Sequence, residues 1–326
     1  MKRILVTGAF GQIGAELTPA LRERYGASNV IAAGHVSQPS AELRDAGPFA
    51  FLDVTDGRTV AEVVRAQRID TIVHMAALLS AVGEQKPQVA WNVNMNGLHN
   101  VLEVARELEL VQVFCPSSIA VFGPQTPRDG TPQETVLKPT TMYGVTKVAG
   151  ELLGDYYVRR YGVDVRGVRY PGIISNKAMP GGGTTDYAVE IFYKAIERGR
   201  YTCFLRDDSM LPMMYMPDCI KATMDLMEAD LGRLRHHADY NLAAFSFAPA
   251  DLVAEIQKHL PTFTCDYAPD WRQAIADSWP RSIDDSAARD EWGWTPGVDL
   301  AAMTADMLAV LGRRHTEGRL YLSAQG

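Results

Sequence analysis

Residues 2–26, KRILVTGAFGQIGAELTPALRERYG, decide the fold. KRILVTG is a short apolar run with β-branched residues and reads as a strand, whereas IGAELTPALRERYG reads as a helix. Gly8, Gly11 and Gly14 fall between the two. Glycine permits a tight turn there and lets backbone N–H groups approach a pyrophosphate, to which the helix N-terminus presents its partial positive charge. The spacing is G-x-x-G-x-x-G, not the G-x-G-x-x-G of the general dinucleotide fingerprint, and the competing reading is an ordinary strand-to-helix turn. With both flanks of the right pattern, a dinucleotide site is the expectation.

Outward from this turn, strand-like runs recur with helical stretches between them: NVIAAG, AFLDV, DTIVHMAA, VQVFCPSS and DVRGVRYPG. Alternation at this interval predicts an α/β fold, a doubly wound parallel sheet of the Rossmann type over residues 1–173, with ligands outside the C-terminal strand ends. Past residue 173 the alternation weakens. PGGGTTD reads as a loop, DYAVEIFYKAIERG as a helix, YTCFL as a strand and Pro217–Glu228 as a helix. The rest is short segments rich in Pro, Trp and Asp. Residues 174–326 are therefore expected to form mainly a smaller C-terminal substrate-binding lobe, with some segments returning to the first domain. No internal repeat or low-complexity segment is evident.

At 326 residues the chain is long enough for a well-buried core, and 47% apolar with 22% charged residues is ordinary for a globular protein. The net charge of −7 and the lack of a basic block argue against nucleic acid as a partner. The N-terminus runs directly into a strand, and no apolar stretch approaches membrane length, so a cytoplasmic protein without a membrane partner is expected. Cys115, Cys203, Cys219 and Cys265 are far apart and read as small buried residues rather than a disulfide or zinc set. The histidines show no metal pattern. His74 reads as a packed core residue, and the adjacent His236 and His237 would diverge from one another.

Chemistry enters with TMYGVTKVAGELL. On a helix Tyr143 and Lys147, at i and i+4, share one face, so an ammonium can lie under a phenol. Removing a hydroxyl proton as hydride leaves the same carbon needs a base, and a positive neighbour favours the phenolate that can serve. Lys147 can also reach the nicotinamide ribose. Ser117 and Ser118, at the end of the fifth strand-like run, can orient a substrate oxygen against Tyr143. Taken singly, the serines read equally as strand-end caps and Tyr143 as a packing aromatic. The segments Asn94–Leu108 and Tyr143–Tyr161 carry apolar residues on more than one face, including Val145, Val148, Leu152, Leu153, Tyr156 and Tyr157, which predicts a homodimer.

Together TGAFGQIG, MAA at 75–77, NVNMNG, SSIAVFG, YGVTK and RYPG resemble the short-chain dehydrogenase/reductase superfamily, in the extended branch that includes the nucleotide-sugar epimerases. That resemblance implies that Gly8, Gly11, Gln12, Ile13 and Gly14 hold the pyrophosphate and that Asp53 and Val54 contact the adenine. It places Ala76, Ala77 and Asn94 along the cofactor cleft, and Tyr170 and Pro171 by the nicotinamide. Catalysis would fall to Tyr143, Lys147 and either Ser117 or Ser118; the spacing to Gly123 favours Ser118. The stretch PGGGTTDYAVEIFYKAIERGRYTCFLRDDSMLPMMYMPDCIKATMDLM, with LLSAVGEQ and PSSIAVFGPQTP, closely resembles the short-chain family of L-threonine 3-dehydrogenases. This implies oxidation of L-threonine at C3 with reduction of NAD, Ser80, Gly83, Thr184 and Thr185 facing the substrate.

The residue chemistry is compatible with a small zwitterion. Thr184, Thr185, Ser80 and the backbone of glycines 181–183 offer donors to a carboxylate, and Asp186 an acceptor for an ammonium. The plainer alternative is a hinge loop whose Thr and Asp cap the next helix. One segment departs from the pattern. NAD-preferring members place an acidic residue just after the second strand, but IAAGHVSQ has Gly34, His35 and Ser37 there, with neither acid nor Arg or Lys. NAD remains the cofactor that the resemblance implies. The competing functions are a nucleotide-sugar epimerase or dehydratase and a dinucleotide-binding sensor without turnover.

Overall fold

The computed structural model describes residues 1–36, 38–177 and 182–321; Ser37 and Gly181 lie outside the described residues. The first strand, β1 (Ile4–Thr7), is buried along its whole length, as expected for a strand covered by helices on both faces. It is followed by β2 (Val30–Gly34), β3 (Phe49–Phe51), β4 (Thr71–His74), β5 (Gln112–Phe114), β6 (Ser117–Ser118) and β7 (Val165–Arg166). Six of these form one parallel sheet in the order β3-β2-β1-β4-β5-β7. The order reverses between β1 and β4, so a crevice opens beyond their C-terminal ends.

Side-chain alternation on the pleat divides the core into two layers. Ile4 and Val6 of β1 pack with Leu17 and Leu21 of the helix Gly14–Tyr25, and with Met216, Cys219, Ala222 and Leu226 of the helix Met216–Glu228. Leu5 points the other way, toward Val60 and Val64 of the helix Gly57–Gln67 and Val101 and Leu102 of the helix Gly97–Glu107. Those spacings of three and four are the apolar stripe of an amphipathic helix. A third cluster lies apart from the main sheet and joins Tyr187, Ile191 and Phe192 to Leu252, Ile256, Met303, Met307 and Leu311.

Two sequence runs that read as single strands are split. VQVFCPSS leaves the main sheet at Pro116, and DVRGVRYPG leaves it at Gly167, continuing as β8 (Val168–Tyr170). The displaced ends then pair with each other, β6 on β8 and β8 on β12 (Tyr240–Asn241), in a small second sheet. Ser117 and Ser118 thus stand on that separate sheet and not on an extension of the fifth strand. The remaining pairs are β9 (Gly172–Ile174) with β11 (Leu211–Tyr215) and β13 (Phe245–Phe247), and β10 (Arg200–Cys203) with β14 (Thr264–Tyr267).

Among the described residues no helix is long and apolar enough to cross a membrane. Among them, too, no group of three or more His, Cys, Asp or Glu is arranged to hold a metal ion. Cys115, Cys203 and Cys219 are buried free thiols, and Cys265 is half-buried. His74 is buried, its Nδ1 2.9 Å from Thr7 Oγ1, and burial pushes its ring down to about 3.

Candidate active site

The glycine turn occupies the crevice at the sheet reversal. Gly8 has φ +64°, a conformation that side-chain-bearing residues rarely adopt, and a Cβ there would lie 2.6 Å from the Ala76 nitrogen. A Cβ on Gly14 would meet the Gly8 carbonyl at 2.3 Å, so the helix start seats directly on the strand end. The helix Gly14–Tyr25 has Ile13 at its N-cap and no side-chain cap. Among the described residues, no main-chain acceptor faces the Gln12 and Ile13 amides. Uncapped donors at a helix N-terminus suit an anionic diphosphate, and the turn therefore fits a dinucleotide.

Other residues expected to line the cofactor cleft follow the neighbouring strand ends. Ala76 and Ala77 come just after β4 and share a cavity wall with Asn94 and Lys147. Asp53 follows β3, its Oδ1 accepting from the Thr55 amide and hydroxyl at 2.9 and 2.8 Å; these bonds hold its carboxyl below the ordinary value. Val54 is buried against Gly97, and its carbonyl accepts from Asn100 at 3.0 Å. Tyr170 ends β8, its hydroxyl bonded to Thr223 and its ring buried; Pro171 follows it.

Tyr143 and Lys147 are set on the helix Met142–Tyr161. Thr141 caps it, accepting from Gly144 N at 3.1 Å, and Glu84 accepts from Met142 N at 2.6 Å. Lys147 Nζ lies 5.5 Å from the centroid of the Tyr143 ring and donates to the Pro116 carbonyl at 2.7 Å. Asn94 sits in a π-helical segment, Asn92–Asn96, whose widened turn aims its amide inward. Its Oδ1 accepts from Leu78 N at 2.8 Å, and its Nδ2 donates to Leu78 O and to Thr146 Oγ1, each at 3.1 Å. Asn94 therefore ties the strand-end segment after β4 to the helix that carries Tyr143 and Lys147.

The two serines have different environments. Ser117 is buried and donates to Glu151 Oε1. Ser118 is half-buried, and its Oγ accepts from Ala120 N at 3.2 Å, leaving its hydroxyl proton free to be directed elsewhere. Glu151 is held by a two-pronged contact from Arg169, with both N···O distances at 2.9 Å. Burial raises the Glu151 carboxyl, while the Arg169 charge opposes that rise. Behind Lys147 a cavity of about 30 Å³ is lined by His74, Asn94, Ser117, Thr146 and Glu151.

Residues 182–185 meet the helix Ser80–Gln85. Ser80 Oγ is 3.3 Å from Thr184 Oγ1, both residues being buried, and the Ala81 amide donates to the Gly182 carbonyl at 3.2 Å. A Cβ built on Gly83 would lie 3.8 Å from the Tyr143 Cβ, so the helix Ser80–Gln85 packs against the start of the helix that carries Tyr143. Thr185 packs close to Gly172. Asp186 turns back on the loop, its Oδ2 accepting from the Gly182 and Gly183 amides at 2.9 and 2.7 Å. Burial pushes its carboxyl up to about 6.

Glu151, Arg169 and Thr146 were missing from the residues read off the sequence. Glu151 had a usable signal, since Tyr143, Lys147 and Glu151 recur every four residues on one helix face. Arg169 had none, because its partner is joined to it only by tertiary packing.

The NAD dependent epimerase/dehydratase family matches residues 4–243 of the chain. An uncharacterized epimerase/dehydratase of Staphylococcus haemolyticus is 53% identical over 95% of this chain and 98% of its own. Among solved structures, L-threonine dehydrogenase from Phytophthora infestans is 55% identical, with a TM-score of 0.93 over 96% of this chain and 100% of that one. The holo form of the GalE-like L-threonine dehydrogenase from Cupriavidus necator is 53% identical, with a TM-score of 0.92 over 95% and 99%.

Proposed function

This chain belongs to the NAD dependent epimerase/dehydratase family, and from that premise we propose that it is an oxidoreductase converting L-threonine to L-2-amino-3-oxobutanoate with NAD. The observation that carries the reading is the contact of Thr184, within residues 182–185, with Ser80, on the helix packed against the start of the Tyr143 helix. Solved relatives of about half identity bear the same activity in their names.

Bound NAD supplies the acceptor for the hydride that leaves threonine C3. The chain does the rest. Gly8, Gly11, Gln12, Ile13 and Gly14 seat the diphosphate, Asp53 and Val54 the adenine, and Ala76, Ala77, Asn94 and Pro171 the remainder of the cleft. Tyr143 Oη takes the C3 hydroxyl proton, with Lys147 Nζ 5.5 Å from the centroid of its ring. Pro116 O fixes the lysine. Ser118 donates to the reacting oxygen, and Ser117, spent on Glu151, shapes the strand beneath it. Ser80, Thr184 and Thr185 direct hydroxyls to the substrate carboxylate, and Gly83 leaves room for it. Asp186 holds the loop's glycine amides and presents its second oxygen toward the ammonium side.

Incubated with NAD and L-threonine, the protein is expected to generate reduced nicotinamide, read at its absorbance band. Silence with threonine but turnover of a UDP-sugar would make it an epimerase or dehydratase instead.

The protein works as a homodimer in the cytoplasm. Val145, Leu152 and Tyr156 stand exposed on one side of the helix Met142–Tyr161, Leu152 by 67%, beside exposed Val89 and Trp91. Leu153 and Tyr157 turn inward to the core. Burying such a two-helix face against its own copy is a self-complementary arrangement. Light scattering is expected to give twice the chain mass, falling to the single mass in Leu152→Arg; a wild-type monomer would refute the dimer.

A further inference from the structure

In this architecture the end of the second strand separates NAD from NADP. A carboxylate there hydrogen-bonds the adenosine ribose hydroxyls and repels a 2′-phosphate, so selectivity rests on an unfavourable contact as much as on a favourable one. Here β2 ends at Gly34. The residue before it, Ala33, pairs with Thr7 and accepts the Ala9 amide at 2.9 Å, which fixes the strand end beside the glycine turn.

The Phe10 ring, from within that turn, lies against Gly34. A Cβ built at 34 would stand 2.1 Å from Cδ2 and 2.3 Å from Cε2 of the ring. No acidic side chain can start from this position while Phe10 keeps its place. Between Ile31 and Ser40 the chain carries no Asp, Glu, Arg or Lys. Arg44, further on, is exposed and paired with Asp45 at 3.3 Å. The ionisable side chain at this edge is His35, 64% exposed, with its Nε2 3.4 Å from Asp53 Oδ2. Asp53 is the nearby carboxylate, but Thr55 holds its Oδ1 and His35 faces its Oδ2, so both of its oxygens are engaged at this edge.

We infer that the chain binds NAD and NADP with comparable affinity. The Phe10–Gly34 contact keeps the excluding carboxylate out, and His35, beside Asp53, is the polar side chain placed to meet either the 2′-hydroxyl or the 2′-phosphate. The inference rests on the dinucleotide reading of the turn and is independent of which alcohol is oxidised.

Equilibrium calorimetry with ADP-ribose and 2′-phospho-ADP-ribose tests it without any turnover. Dissociation constants within about tenfold of each other, a gap of about 1.4 kcal/mol, are the expected result. A wider gap in favour of ADP-ribose overturns the inference and leaves the dinucleotide reading intact, whereas failure of both ligands to bind overturns the two together. The double variant Phe10→Ala with Gly34→Asp makes space for a carboxylate and is expected to weaken 2′-phospho-ADP-ribose by about a hundredfold while ADP-ribose still binds. Its retained ADP-ribose affinity also reports that it folds. Unaltered parity in that variant would show that Gly34 is not the cause. His35→Ala is expected to weaken both ligands by severalfold, and no change would remove His35 from the scheme.

Discussion

Replacing Tyr143 with Phe is expected to lower threonine oxidation by about 10²–10⁴-fold, the range set by removal of a general acid–base group, while reduced NAD still binds. The reason lies in the position of the side chain. The Tyr143 ring is buried and belongs to the apolar cluster that includes Ile119, Phe122 and Tyr187, so phenylalanine keeps its packing. Only the oxygen that takes the proton is lost. The glycine turn and Ala76 lie elsewhere in the crevice and are untouched by the change. Single-turnover absorbance measures the chemical step, and nucleotide titration measures binding. Near-normal turnover would move the base to another residue; loss of nucleotide binding as well would show that the phenol supports the cleft rather than the reaction.

The second large effect is expected from Glu151→Ala. Arg169 and Glu151 are both almost fully buried, with side-chain exposures of 3% and 5%. Removing the carboxylate takes the two-pronged partner from a buried guanidinium that cannot lose its proton, leaving it Asp239 at 3.5 Å and the Asn241 and Gln133 oxygens, and breaking such a buried pair costs about 3–5 kcal/mol. It also frees Ser117, the neighbour of Ser118, and so loosens the strand that carries both serines. Urea unfolding should therefore show a lower midpoint with an unchanged slope, and turnover should fall below that of Glu151→Gln, which keeps one acceptor. The pair is not indispensable in itself: Glu151→Leu with Arg169→Met is expected to recover much of the stability but not the turnover. A loss below about 1 kcal/mol in Glu151→Ala would be the value of a solvated ion pair and would contradict this account.

Much of the molecule could be read from its residues. The strand–glycine–helix pattern at 2–26, followed by alternating apolar runs, leads to a parallel sheet, and the sheet that forms is parallel with its order reversed beside the glycine turn. Lys147 and Ser117, from separate segments, line one cavity, and Ser80 and Thr184, 104 residues apart, lie 3.3 Å from one another. Other features left little local trace. Pro116 and Gly167, residue types that interrupt strands, stand at the breaks in VQVFCPSS and DVRGVRYPG, but nothing local says that the displaced ends pair with one another in a second sheet. Asp186 was read as a helix cap or a ligand for an ammonium, and its folding back onto two glycine amides depends on the loop's path.

Local periodicity and glycine placement, which act over a few residues, determined the fold class, the dinucleotide turn and the phenol–ammonium pair on one helix face. Tertiary structure alone decided which serine is spent on a buried carboxylate, that Arg169 balances that carboxylate, and that Phe10 closes the position next to His35. Each of those depends on side chains brought together from distant segments, where burial sets the strength of every charge and the space left for every atom.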